Sequence, residues 1–302
     1  MTVRYIGSGP YCYANTLAMA IGAPEPSAVE VLTGSAFGAT FIAGLPYFSP
    51  AGWDPDIGLD PAIAALGWHC ERTAGGDATE AVGRLRVATK AGPVLVGPVE
   101  FGLLSYQPGM GTPIGSDHFV LVIGLDEATV TLHDPHGHPY ATLPLDAFVA
   151  AWRAETVPYP STPFTMRSGF HRLRDVDVTT AISDTLPDAV RWLEATPDAG
   201  DTVERLAGLV TAGLDEQTLG HLVHFAVRVG ARRLADASFW LARIGHHAAA
   251  EIADTQARLL GAIQYDLVAG DHLNAAATLR KLAPTYAQLR TALAGSREPG
   301  VR

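Results

Sequence analysis

An α+β domain built on an antiparallel sheet, followed by an all-helical domain, is the fold class this sequence predicts. Three observations lead there. Residues 1 to about 175 are rich in Gly and Pro and alternate short helical with strand-like pieces. Within them the apolar period changes near 93, from helical spacing to β-branched runs bounded by turn residues. From about 180 to 296 apolar residues recur at three- and four-residue steps, the pattern of helices packed on one another. The expected domains are therefore 1–176 and 180–296, with 297–302 as a flexible tail.

Each element has its local reason. "YCYANTLAMAIG" is a small-residue helix that stops at Gly22. "EPSAVEVLTG" reads as a helix with Ser27 at the N-cap and Gly34 as its stop. "SAFGATFIAGLPYFSPAGWDPDIG" is loop-like and aromatic, the composition of a pocket wall. "DPAIAALGW" opens with Asp60 and Pro61 at N-cap and N1, and "DATEAVGRLRVATKAG" repeats that form. Strands follow in "PVLVGPV" (93–99), "HFVLVIGLD" (118–126) and "ATVTLHDP" (128–135), the last two joined as a hairpin. "YATLPLDAFVAAW" adds a strand and a helix, and "PFTMRSGFHRL" reads as a strand returning to the sheet. In the second half, helices are expected near 185–195, 201–212, 215–229, 231–244, 247–268, 271–282 and 285–294, with Gly213, Gly230, Gly245 and Gly270 as stops.

Composition narrows the function. The 302 residues carry 48% hydrophobic and 17% charged side chains, a globular balance. A formal charge of -10 argues against nucleic acid, since phosphate contacts need clustered Lys and Arg. No apolar run approaches the roughly 20 residues that span a bilayer, and "MTVRYIGSGPYC" lacks a signal-peptide core, so no membrane and a cytoplasmic location are expected. Two cysteines are too few for a disulfide scaffold or a cysteine-based zinc site. Cys70, where a helix gives way to a polar strand, reads as structural. Cys12 is different.

Cys12 follows a Gly-Pro turn and precedes a helix, whose N-terminal N–H groups favour thiolate over thiol. Alone it could be an apolar filler. His118 opens a strand after a turn, where an imidazole can project into a cleft. Asp134 closes the partner strand just before Pro135, so the hairpin brings 118 and 134 to the same end of the sheet. Asp134 can then accept from one imidazole nitrogen while the other serves Cys12, the nucleophile, base and orienter logic of a triad. Two metal readings are weaker. "HDPHGH" at 133–138 offers three imidazoles, but strand alternation turns His133 away from Asp134. His221 and His224, three apart on an apolar face, read as packing. No metal and no cofactor are expected.

A nucleophile on an N-terminal helix, then His and Asp on paired strands, is the layout of papain-like folds. "YCYANTLAMAIG", "GPVLVGPVEFGLLSY" and "GSDHFVLVIGLDEATVTLHDPHG" resemble the papain-like family of the N-terminal domain of butirosin biosynthesis protein H. C39-like cysteine peptidases are more distantly similar. "GSAFGATFIAGLPYF" also matches that family's segment after the first helix, and the resemblance covers about 1–175. It implies acyl transfer in natural-product (antibiotic-type) biosynthesis. An acyl group held as a thioester on an acyl carrier protein, or another thioester donor, would move to an amine of a small-molecule acceptor. Carried over residue by residue, Cys12 takes the acyl group, His118 is the base and Asp134 holds the imidazole.

The pattern departs at one place. Papain-like peptidases carry a Gln six residues before the cysteine as an oxyanion donor, and here that position is Ile6. Ser8, Asn15 and Tyr106 are the remaining candidates beside the Cys12 N–H. Losing one such donor costs about 2.7–4 kcal/mol in the transition state, which hurts an amide hydrolase more than transfer from an activated thioester. A thioesterase or peptidase using the same triad, and a non-catalytic binding protein of the same fold, are the alternatives. Phe41, Tyr47, Trp53 and Tyr106 are the expected substrate-binding residues.

Overall fold

The computed structural model describes residues 10–22, 25–159, 162–195 and 197–295. Along the chain run α1 (Cys12–Ile21), α2 (Pro26–Leu32), β1 (Thr40–Ile42), β2 (Leu45–Tyr47), α3 (Pro55–Ala65), β3 (Trp68–Thr73), α4 (Ala78–Ala91) and β4 (Val94–Glu100). A 3-10 turn (Phe101–Leu103) precedes β5 (Asp117–Leu125), β6 (Thr129–Asp134), β7 (His138–Pro144), α5 (Leu145–Trp152) and β8 (Met166–Arg172). Then come α6 (Val178–Leu193), α7 (Ala199–Ala212), α8 (Glu216–His221), a π turn (Leu222–Ala226), α9 (Val227–Arg243), α10 (His247–Ala269) and α11 (His272–Gly295). The fold is mixed α and β, with an antiparallel sheet and a helical C-terminal region. Among the described residues no helix is long and apolar enough to cross a membrane.

The chain divides into two compact units. Of the described residues, one unit holds those up to Val29 and those within 59–175; the other holds Glu30–Gly58 and those from Val176 on. Segment 30–58, expected within 1–176, groups with the helices in this division. The tail 297–302 lies outside the described residues.

In the first unit six strands form one sheet in the order β3-β8-β4-β5-β6-β7, antiparallel throughout. The returning strand β8 inserts between β3 and β4. β4 is buried along its whole length, and β5 is buried from His118 to Val122. Such unalternating apolar runs need cover on both faces. On one face Val94, Val96, Val120, Val122, Val130 and Leu132 join Ala81 and Leu85 of α4 and Phe148, Ala151 and Trp152 of α5. Toward α1, Phe119 meets the Tyr13 ring edge-on at 6.0 Å. A Cβ on Gly97 would sit 2.3 Å from the Phe119 ring, so that close approach requires glycine.

Helix starts moved where the capping chemistry was better. α3 begins at Pro55, with Asp54 accepting from the Ile57 N–H at 2.9 Å; the later Asp60-Pro61 pair lies inside the helix. Asp60 instead meets the fully buried Arg167 of β8 at 2.6 Å. Ser27 sits in the first turn of α2, not at its cap. α4 has the expected Asp77 cap, completed by a reciprocal bond with Glu80.

In the second unit two expected breaks do not occur: helix runs on through Gly230 and through 283–284. α6 contains Pro187 and starts at Val178, ahead of the expected 185. Gly230 is a packing glycine: a Cβ there would lie 2.6 Å from Phe48 and 2.7 Å from Leu260. Pro284 removes an N–H donor, yet buried Leu279, Leu282, Tyr286 and Leu289 hold α11 together across it. Segment 30–58 is fastened to the helices by a buried ion pair, Arg233 Nε to Glu30 Oε1 at 2.6 Å.

Candidate functional site

Cys12 is the first residue of α1, half-buried between the buried Tyr11 and Tyr13. The Tyr11 carbonyl accepts from the Asn15 backbone N–H at 2.9 Å and from its side-chain amide at 2.6 Å, so the turn beneath the cysteine is doubly held. The first turn carries no carboxylate to oppose the partial positive charge of the helix start. Thr16, one turn on, has its hydroxyl 2.7 Å from the Cys12 carbonyl oxygen and 3.1 Å from that of Phe119. That hydroxyl ties the turn beginning at Cys12 to the residue beside His118.

His118 is the second residue of β5 and is buried. In the β5–β6 ladder Leu121 faces His133, so Val120 stands opposite Asp134 and His118 is its diagonal neighbour on the same face. Nε2 of His118 lies 2.6 Å from Oδ1 of Asp134. Asp134 is fully buried and accepts three further bonds. The His136 N–H donates to Oδ1 at 2.7 Å; Tyr106 and Gln107 donate to Oδ2 at 2.8 and 2.9 Å.

Burial alone would raise the Asp134 pKa. The charge and hydrogen bond of His118, with the His136 N–H and Tyr106 hydroxyl, outweigh it and hold the carboxyl down at about 2. Burial and the Asp134 charge drive the Tyr106 hydroxyl the other way, far above the ordinary phenol range. Tyr106 is therefore a permanent donor. Because ionised Asp134 can only accept, the Nε2 proton of His118 is committed to it, and Nδ1 is the nitrogen left for proton exchange.

The surroundings keep that imidazole oriented. Phe101 stacks on His118 at 4.6 Å between centroids, and His136 approaches edge-on at 6.2 Å. Phe101 begins the loop that delivers Tyr106 and Gln107, and buried Glu100 organises that loop. Its carboxylate accepts from the N–H groups of Gly102, Ile114 and Gly115 at 3.1, 2.9 and 3.2 Å, and from the Thr156 hydroxyl. Thr16, Glu100, Gln107 and His136 were missed in the sequence reading. They sit in a helix interior, at the end of β4 and in irregular loops, where no periodicity singles out a functional residue.

Other sequence candidates fall elsewhere. Tyr106, expected to bind substrate or to serve as an oxyanion donor, gives its hydroxyl proton to Asp134. Asn15, expected as an oxyanion donor, gives one amide proton to the Tyr11 carbonyl and is buried. Ser8 and Ile6 lie outside the described residues. Phe41, Tyr47 and Trp53 belong to the second unit. There Trp53 is core, donating from Nε1 to the Thr33 carbonyl at 2.7 Å with the Arg233 guanidinium 5.3 Å from its ring. Phe41 lies under Arg205 at 4.5 Å. Tyr47 packs on His221 and Phe225.

The imidazoles set aside as ligands have other employment. His221 Nε2 lies 2.8 Å from the Pro46 carbonyl, and burial lowers its pKa against the opposing pull of that bond. His133 accepts at Nδ1 from the Tyr140 N–H, while His136 and His138 pack on Phe101 and Tyr106. Among the described residues no group of three or more metal-capable side chains converges. Burial pushes the Cys70 thiol up to about 11, with Arg167 opposing and Asp60 adding to the rise.

Residues 194–294, from just past α6 to the end of α11, match the family described as the YobF C-terminal domain. A protein of Bacillus subtilis (strain 168) described as "Uncharacterized protein YobF" is 38% identical over 162 residues, 51% of this chain and 52% of that one. The chain thus spans about half the length of the curated relative it matches.

Proposed function

We propose that the chain is a cysteine-dependent acyltransferase of papain-like (C39-like) type, working through an acyl-Cys12 intermediate. Its donor is a thioester, carried on an acyl carrier protein or a similar carrier, and its acceptor is the amine of a small molecule. The observation that carries this reading is the buried His118–Asp134 contact of 2.6 Å, on the strand that Thr16 ties to the turn of Cys12.

Thiolate attack on the thioester carbonyl forms the new C–S bond and a tetrahedral oxyanion, for which the Cys12 N–H is the nearest backbone donor. Collapse expels the carrier thiolate, which takes a proton from Nδ1 of the His118 imidazolium. The acceptor amine then attacks acyl-Cys12, its proton passes to Nδ1, and the Cys12 thiolate leaves. Throughout, ionised Asp134 holds Nε2 and stabilises the imidazolium. Asn15 and Tyr106 are engaged elsewhere, so the oxyanion has modest help, which suits an activated thioester better than an amide. A cytoplasmic setting in small-molecule biosynthesis accords with this chemistry.

Intact-protein mass spectrometry after incubation with acyl thioesters tests it. Wild-type protein gains the acyl mass, Cys12→Ala does not, and an added amine discharges the adduct into an amide. No adduct on wild type, or an adduct that persists in Cys12→Ala, overturns the proposal. Amine-independent release of free acid would instead mark a hydrolase.

A further inference from the structure

Across the sheet, two exposed histidines stand opposite one another. His69 of β3 and His171 of β8 are Cα partners in the antiparallel ladder, and their ring centroids are 5.0 Å apart. They are distant in sequence, and neither takes part in the site above. We propose that His69 and His171 form a two-imidazole site for a divalent late transition-metal ion of the zinc class, clipping the edge strand β3 to β8.

Three features fit that chemistry. The first is spacing. A metal–nitrogen bond of about 2.0–2.1 Å puts each imidazole centroid about 3.2 Å from the ion, so two rings at a tetrahedral angle have centroids about 5 Å apart. The second is the tautomer of His171. Its Nδ1 lies 2.9 Å from the Gly169 carbonyl, which can only accept, so Nδ1 carries the proton and the Nε2 lone pair is presented outward. A ligating imidazole held by its other N–H on a backbone carbonyl is the usual support in metal sites. Gly169 makes this bond possible by adopting φ +62, a conformation costly for residues with a Cβ.

The third is electrostatic. The neighbouring cation Arg172 pairs with Asp175 at 3.1 Å and lies over the Trp68 ring at 5.6 Å, so its charge has partners of its own. Two protein ligands leave two tetrahedral positions for water or a further donor. The consequence is mechanical: among the described residues β3 is an edge strand paired with β8, and an ion shared by both strands opposes its fraying.

The test is a calorimetric titration of Zn²⁺ into the metal-free full chain at pH 7.5, with hydrogen exchange of the β3 amides read in parallel. Wild type should bind one zinc equivalent that His69→Gln, His171→Gln and the double variant each lose, and zinc should slow β3 exchange in wild type alone. Both substitutions are at exposed positions, so the variants remain folded. Equal stoichiometry and equal β3 response in wild type and the double variant overturn the site, as does wild type that binds no zinc.

Discussion

Replacing Asp134 by Asn removes the charge at the centre of the candidate site while keeping its shape. The carboxyl falls from an ordinary 3.8 to about 2 in the folded protein. At 1.36 kcal/mol per pH unit that difference makes the ionised group worth about 2 to 3 kcal/mol of stability. Since the folded pKa is the lower one, this contribution is present above about pH 4 and is lost as pH falls through about 2. The amide can be accommodated in one orientation only. Oδ1 must still accept from the His136 backbone N–H, which cannot be reversed, so the new NH₂ replaces Oδ2. Tyr106 and Gln107 face that atom, and both can turn to present an oxygen. The loss should therefore be close to the charge contribution alone. Amide hydrogen exchange in β5 and β6 measures the stability of this unit directly. Asp134→Asn should be about 2 to 3 kcal/mol less stable than wild type near pH 7, with the gap closing toward pH 2. A gap that is constant with pH, or absent at pH 7, would refute the assignment of ionised Asp134 as a stabilising centre.

Two further outcomes are expected. Arg233→Met should destabilise the helical unit by about 3–5 kcal/mol, because it leaves the buried Glu30 carboxylate without its cation; chemical denaturation checks this, and replacing both partners with apolar residues should recover much of the loss. Cys70 should alkylate slowly at pH 7.5, with a rate that climbs about tenfold per pH unit until its thiol ionises near 11; peptide mapping after iodoacetamide treatment reads it, and fast labelling at neutral pH would contradict a raised thiol pKa.

Much of the fold and part of the candidate site are legible in the residue string, because they rest on short-range rules. The β5–β6 hairpin follows from two β-branched runs and a turn, and its register carries His118 and Asp134 to one end of the sheet. A cysteine at a helix start needs only the Gly-Pro turn before it and the small residues after it. The Asp77 cap of α4 is equally local.

What the chain could not announce depends on side chains brought together from afar. Proline costs about 3 kcal/mol inside a helix and glycine about 1; Gly230 was read as a stop, and two helices were expected to part at 283–284. At Pro284 and Gly230 the apolar faces buried on either side outweigh that local cost. Residues 35–58 read as a pocket wall by composition, but Glu30 just before them finds Arg233 some two hundred residues away, and 30–58 groups with the helices. Gln107 reaches Asp134 only because buried Glu100 gathers its loop, and His69 meets His171 only through the pairing of β3 with β8. Sequence alone determined the periods, the Asp77 cap and the hairpin, since these are decided within a few residues. Tertiary structure decided the partners, since burial and ion pairing act between residues that no local pattern connects.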